Sequence, residues 1–142
     1  MKKSLNNYKI ILFSLLMSLL SMPGFSKSMV TSLKCDYHVN PVGIDILQPR
    51  LSWQIVAGEN NFIQQAYEIR VAETLADLTG GRKLVWSTGK ANSASSVNVV
   101  YEGPAAKTMQ RLWWQVRIWD GKNKATAWSA PAYWEMGLLG EG

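Results

Sequence analysis

Two carboxyl groups held about 5–10 Å apart can cleave a glycosidic bond, one as acid and the other as base or nucleophile. The chain has ten acidic residues among its 142, so nominal pairs abound and counting them decides nothing. Glu68 occupies a polar position in an alternating run, and Asp120 and Glu102 fall in turn-like stretches. A solvated surface role is the default for each. His38 is the single histidine. A Ser-His-Asp relay would need an activated nucleophile beside it and an acid to orient it, and no Gly-x-Ser-x-Gly elbow occurs. His38 therefore reads as a turn or packing residue. One histidine and one cysteine also make a poor zinc set. Cys35 has no second cysteine to pair with, and no activating base stands near it in sequence. It reads as a small buried hydrophobe rather than a reactive thiol. Lys34, where a lipoprotein signal needs a small residue, argues against a lipid anchor there. These residues point away from catalysis and call for no metal and no cofactor.

The tryptophans are the other chemical resource. There are seven, a heavy load for a small domain, and flat exposed indoles can stack on sugar rings or dock a neighbour. The densest stretch is Leu112-Trp113-Trp114-Gln115-Val116-Arg117-Ile118-Trp119. Side chains alternate across a strand. Leu112, Trp114, Val116 and Ile118 then share one face, and Trp113, Gln115, Arg117 and Trp119 the other. The first set reads as core. The second holds a charge between two indoles, so it reads as an outer face. There the Arg117 guanidinium can stack on the indoles, with Trp128 reaching in from a last strand. Trp113, Arg117, Trp119 and Trp128 form the candidate interaction surface, with Trp113 or Trp119 expected to be substantially exposed. Trp53 and Trp86 read as core or its edge.

The elements that must position these residues are strands. Leu51–Ile55, Tyr67–Val71 and Val97–Val99, running on to Tyr101, alternate apolar and polar residues with period two. Leu84–Ser87 is a short strand, Leu33–Tyr37 the first, and 128–136 the last, with Pro131 placing an edge or a bulge. Asn40-Pro41-Val42-Gly43, Gly58–Asn61 and Asp120-Gly121 carry turn chemistry. A turn and a half of helix fits Glu73–Leu78, closed by Gly80-Gly81. About seven short strands with turns between them predict an all-β, antiparallel sandwich of two sheets.

Ahead of this domain, Lys2, Lys3 and Lys9 precede an apolar run over 10–20 and then small residues at Gly24 and Ser26. This is the order of a secretory signal peptide, cleaved after Ser26, and the run is short of the roughly 20 residues of a membrane span. Three of the 15 basic residues and none of the acidic ones lie in 1–26. The mature chain thus carries 12 basic and 10 acidic residues, a net +2. That is no nucleic-acid footprint. The expected division is a signal peptide over 1–26, a sandwich over 27–137 and a linker over 138–142.

Two stretches carry a resemblance. One is Leu33-Lys34-Cys35-Asp36-Tyr37, then Asn40-Pro41-Val42-Gly43-Ile44-Asp45 and Pro49-Arg50-Leu51-Ser52-Trp53. The other is Trp113–Asp120, then Trp128-Ser129 and Trp134–Leu139. Over roughly 30–139 the chain resembles the N-terminal fibronectin type III-like domain of bacterial α-L-rhamnosidases. The resemblance implies a fibronectin type III / immunoglobulin-like sandwich whose partners are neighbouring domains of a parent glycosidase. It carries over no catalytic residue, because that family's acid and base lie in a later helical barrel. Together the residues and the resemblance predict an exported, periplasmic or extracellular, non-catalytic module that packs or spaces domains. It would have no nucleic-acid partner and no membrane contact after signal cleavage. The alternatives are a free-standing carbohydrate-binding module for rhamnose-containing glycans, and an adhesion domain.

Overall fold

Alternation is strongest in the tryptophan-rich stretch, and that stretch is the centre of the architecture. A computed structural model describes residues 27–140, so the signal peptide and cleavage site expected from the sequence lie outside the described residues. Strand β7 (Arg111–Asp120) buries Leu112, Trp114, Val116 and Ile118 on one face. It is flanked by β4 (Gln64–Ala72) and β8 (Ala132–Met136), both antiparallel to it. Outside β4 lies β5 (Leu84–Ser87), and outside β8 lies β2 (Val42–Ile44), giving the order β2-β8-β7-β4-β5. A second sheet holds β1 (Met29–Cys35), β3 (Arg50–Val56) and β6 (Val99–Val100), in the order β1-β3-β6. The two sheets form an immunoglobulin-like β-sandwich.

The core lies between the sheets. Leu51 and Trp53 of β3 face Ile69 and Val71 of β4, the β7 set, and Trp134 and Met136 of β8. Strand β1 keeps its apolar side inward by a bulge between Thr31 and Lys34, where Ser32 takes φ 52°. The extra residue rephases the strand, so Val30, Leu33 and Cys35 are all buried despite their uneven spacing. Burial pushes the Cys35 thiol up to about 12, with the Asp36 carboxylate adding to the shift. Buried and held protonated, the thiol fits the small buried hydrophobe that its sequence context implies. Tyr101, just after β6, is fully buried. Its ring meets Trp86 and Trp134 edge-on at 5.0 and 5.1 Å, and its hydroxyl donates to the Pro104 carbonyl at 2.8 Å.

Several elements differ from the sequence reading. Strand β1 starts four residues earlier than predicted and stops at Cys35, because Asp36 and Tyr37 both take positive φ in a tight turn closed by Cys35–His38 backbone bonds. The helix α1 spans Leu75–Gly80, capped by the Thr74 hydroxyl and by Gly81 in a left-handed conformation. The segment Asn40–Gly43, predicted as turn, contributes strand β2 instead. There are eight strands among the described residues, and β2 runs parallel to β8. A three-residue strand between Pro41 and Asp45 has too few residues to show alternation. Its signature is local: Gly43 has φ 80°, and a Cβ on Gly137 would come within 3.0 Å of the Gly43 carbonyl oxygen. Only glycine suits both positions.

Candidate interaction surface

The outward face of the five-stranded sheet carries the predicted residues. Strand register sets Glu68 opposite Arg117, Arg70 opposite Gln115, and Trp113 opposite Tyr133. Arg117 is held by Glu68, whose one carboxylate oxygen accepts from Nη2 at 2.7 Å and Nε at 2.9 Å. The guanidinium lies 4.9 Å from the Trp119 ring centroid and 4.6 Å from that of Trp128. The Lys90 ammonium adds a second cation to Trp119 at 4.9 Å, and Arg70 adds one to Trp128 at 4.0 Å. The result is a row Lys90, Trp119, Arg117, Trp128, Arg70 across the sheet. Cation–π contacts contribute about 0.5–2 kcal/mol each.

Trp128 reaches this row by an irregular route. It was predicted on the last strand, but β8 begins only after Pro131, and 126–131 is not regular strand. The stretch follows β7 through hydroxyls. Thr126 Oγ1 accepts from the Ile118 amide at 3.2 Å, and Ser129 Oγ from the Val116 amide at 3.1 Å. The Thr126 and Ser129 amides donate back to the Ile118 and Val116 carbonyls. Two hydroxyls thus stand in for ladder carbonyls and pin Trp128 between them.

Arg70 was not singled out from the sequence, although alternation in β4 puts it outward. What sequence cannot supply is the register that sets it diagonal to Arg117. Its guanidinium donates to the Thr79 carbonyl at 3.2 Å. With the Gln115 amide oxygen turned toward it, Nη2 and Nε donate there at 2.6 and 3.0 Å. Burial, and then the Arg117 charge, push the Arg70 pKa down, and Glu68 opposes them. Gln115 is itself buried on this nominally outer face.

Trp113 stands apart from the row. Its ring meets Tyr133 edge-on at 5.1 Å. Arg111, ion-paired with Glu135 at 2.8 Å, lies 4.1 Å from the Tyr133 centroid and 5.9 Å from that of Trp113. Neither Trp113 nor Trp119 is substantially exposed. Both are half-buried, as are Trp128 and Arg117. The surface is a self-satisfied ladder, with two cations already against Trp119 and two against Trp128. Little indole face remains for a sugar.

Arg117→Ala removes one ion pair and two stacks at once. It is expected to lower unfolding free energy by about 1–2 kcal/mol in urea denaturation. Arg117→Lys should recover less than half of that, because an ammonium cannot lie flat on two indoles and bind Glu68 together.

Comparison with known proteins follows the fold. A family model described as "Rha78A-like, N-terminal immunoglobulin domain" matches residues 30–140. The α-L-rhamnosidase of Streptomyces avermitilis is 43% identical over 78% of this chain, which covers 11% of that protein. An α-L-rhamnosidase of Formosa agariphila is 38% identical over 94% of the chain, covering 15% of its own length. Among solved structures, the S. avermitilis α-L-rhamnosidase complexed with L-rhamnose superposes with a TM-score of 0.76 at 41% identity. The match covers 80% of this chain and 11% of that one. The α-L-rhamnosidase from Dictyoglumus thermophilum gives 0.75 at 32% identity, over 82% and 13%. The chain thus spans between about a tenth and a seventh of the length of these relatives.

Proposed function

The chain belongs to the family of Rha78A-like N-terminal immunoglobulin domains, and from that membership we propose that it is a non-catalytic module of an exported α-L-rhamnosidase-like glycoside hydrolase, serving to pack and space the domains around it. The observation that carries this reading is the match itself. It takes up nearly the whole described sandwich and corresponds to the N-terminal domain of far longer rhamnosidases. The acids support it. Glu68, Glu135, Asp36 and Glu59 are each paired with a cation. Asp120 shapes a turn, accepting from the Lys122 and Lys124 amides. Glycoside cleavage needs a carboxyl pair facing a substrate, and these carboxyls serve structure. The row of stacked cations also counts against the carbohydrate-binding alternative.

One experiment tests the reading. The full chain is expressed from its own start, recovered from outside the cytoplasm, and assayed on an aryl α-L-rhamnoside. The expected result is a processed chain that releases no aglycone above buffer. Turnover that follows the purified chain would overturn the non-catalytic role, and recovery from the cytoplasm alone would overturn export.

A further inference from the structure

The outer tryptophan face is satisfied by its own side chains, yet another part of the surface is not. Strand β2 and the residues after it expose Val42, Ile46 and Leu47, and nearby Met109 and Leu138 are exposed too, Leu138 at 82%. Single exposed apolar residues are ordinary, whereas a cluster is not. Hydrogen bonds bring Met109 and Leu138 beside β2, which carries Val42, and Ile46 and Leu47 follow β2 directly in the chain. The Gly137 amide donates to the Ile44 carbonyl at 2.7 Å, the Met109 amide donates to the Gly137 carbonyl at 3.2 Å, and the Leu139 amide donates to Thr108 Oγ1 at 3.3 Å. Leu138 therefore lies between β2 on one side and the 108–109 turn on the other, where the chain leaves the sandwich after β8.

The entry to β2 is pinned to β8. Asn40 Oδ1 accepts from the Tyr133 amide at 3.0 Å, and the Glu135 amide donates to the Pro41 carbonyl at 2.9 Å. Gly43 and Gly137 let the two backbones touch. A preformed apolar rim orders little on binding, which lowers the cost of docking. Its position names the occupant. The relatives carry this domain at their N-terminal end, and it makes up 11–15% of their length. Their remaining polypeptide therefore sets out from this rim.

We infer that Val42, Ile46, Leu47, Met109 and Leu138 form the face onto which the next domain of an α-L-rhamnosidase-like polypeptide packs, while the tryptophan row faces solvent. This rests on the packing role proposed above and identifies the surface that performs it. Interdomain contacts within a chain bury roughly 600–1,500 Å², and the rim supplies the apolar centre of such a contact.

The test joins residues 27–140 to the S. avermitilis α-L-rhamnosidase in place of its matching N-terminal part, and follows thermal unfolding. The unsubstituted fusion is expected to unfold with the module coupled to the rest, in one transition. Val42→Asp with Leu47→Asp should split it into two, while the same pair leaves the isolated chain's midpoint unchanged. The pair Trp119→Ala and Lys90→Ala should leave the coupling intact. One transition retained in the aspartate variant would overturn the inference. An unsubstituted fusion that already unfolds in two independent transitions would instead sink the packing role itself. If the fusion does not fold, the two aspartates go into the S. avermitilis enzyme at the positions aligned with Val42 and Leu47, with the same split expected and the same retention counting against it. Sedimentation of the isolated chain covers the remaining occupant. A monomer is expected, and a dimer dispersed by the aspartate pair would assign the rim to a second copy and overturn the proposal.

Discussion

Trp134→Ala is expected to remove about 3–5 kcal/mol of stability, the range for truncating a large buried aromatic, and so to leave a domain of this size near or below its unfolding threshold. Trp134 is fully buried in β8 and meets Tyr101 edge-on at 5.1 Å. Truncation opens a cavity among strands that are themselves fixed by their ladders, so collapse cannot fill it. Trp134→Phe separates size from polarity. The indole N–H of Trp134 is buried with no hydrogen-bond partner among the described residues, as is that of Trp114. A buried unsatisfied donor costs about 1–3 kcal/mol. Phenylalanine removes that donor while keeping most of the ring, so its net loss should be under half that of alanine. Trp53 is the control, because its indole donates to Gln64 Oε1 at 3.2 Å. Trp53→Phe strands that oxygen, and should cost more than Trp134→Phe. Chemical denaturation of the three variants checks the ranking. Equal losses for Trp134→Phe and Trp134→Ala would refute this account of the orphaned donor.

The second large effect is expected at a glycine. A Cβ at Gly103 would fall well inside van der Waals contact with the Tyr101 ring and hydroxyl. That ring cannot yield. It sits between Trp86 and Trp134, and its hydroxyl is committed to the Pro104 carbonyl. Gly103→Ala should therefore cost about 3 kcal/mol by overpacking. Gly89 provides the contrast. Its φ is 58° but nothing lies within 4 Å of its Cβ position, so Gly89→Ala carries only backbone strain, about 1 kcal/mol. Urea midpoints measured side by side should order the two in that sense. A Gly103→Ala loss no greater than that of Gly89→Ala would show that the Tyr101 ring can move. Tyr101→Phe in the Gly103→Ala background should restore part of the loss, since the hydroxyl is among the atoms struck.

Much of this was legible in the strand pattern. The parity of 112–119 separates the core set from the outer set, with Gln115 the exception in being buried, and Leu84–Ser87 is a strand in the sequence and in the structure alike. Period-two alternation reports which side a residue faces, and where a strand is long the reading is secure. It does not report what the neighbouring strand brings. Alternation in β4 places Arg70 outward without any sign that it closes one end of the tryptophan row, and Lys90, which closes the other, lies outside the strands where alternation does not report. Trp128 reads from the sequence as part of a last strand, whereas it reaches the row by hydroxyl-mediated pairing that leaves no alternation to read. Trp113 and Trp119 are less exposed than alternation predicts, because Tyr133 of β8 packs on Trp113 and Lys90 and the same-strand Arg117 lie against Trp119. Strand β2 was missed because its evidence, a glycine at positive φ facing another glycine 94 positions later, is a tertiary relation.

That relation also has a temporal side. Asn40 and Tyr133 are joined by a hydrogen bond across 93 residues of chain. Pairings that distant are late events, since loop closure must be met before they contribute. On a ribosome that makes protein from its N-terminus, β2 has no partner until β8 has emerged. The strand that seals the sheet and the apolar rim beside it are then completed in the same step, as the last of the domain is released. Any domain that followed it in a longer polypeptide would then meet a finished surface rather than a folding intermediate.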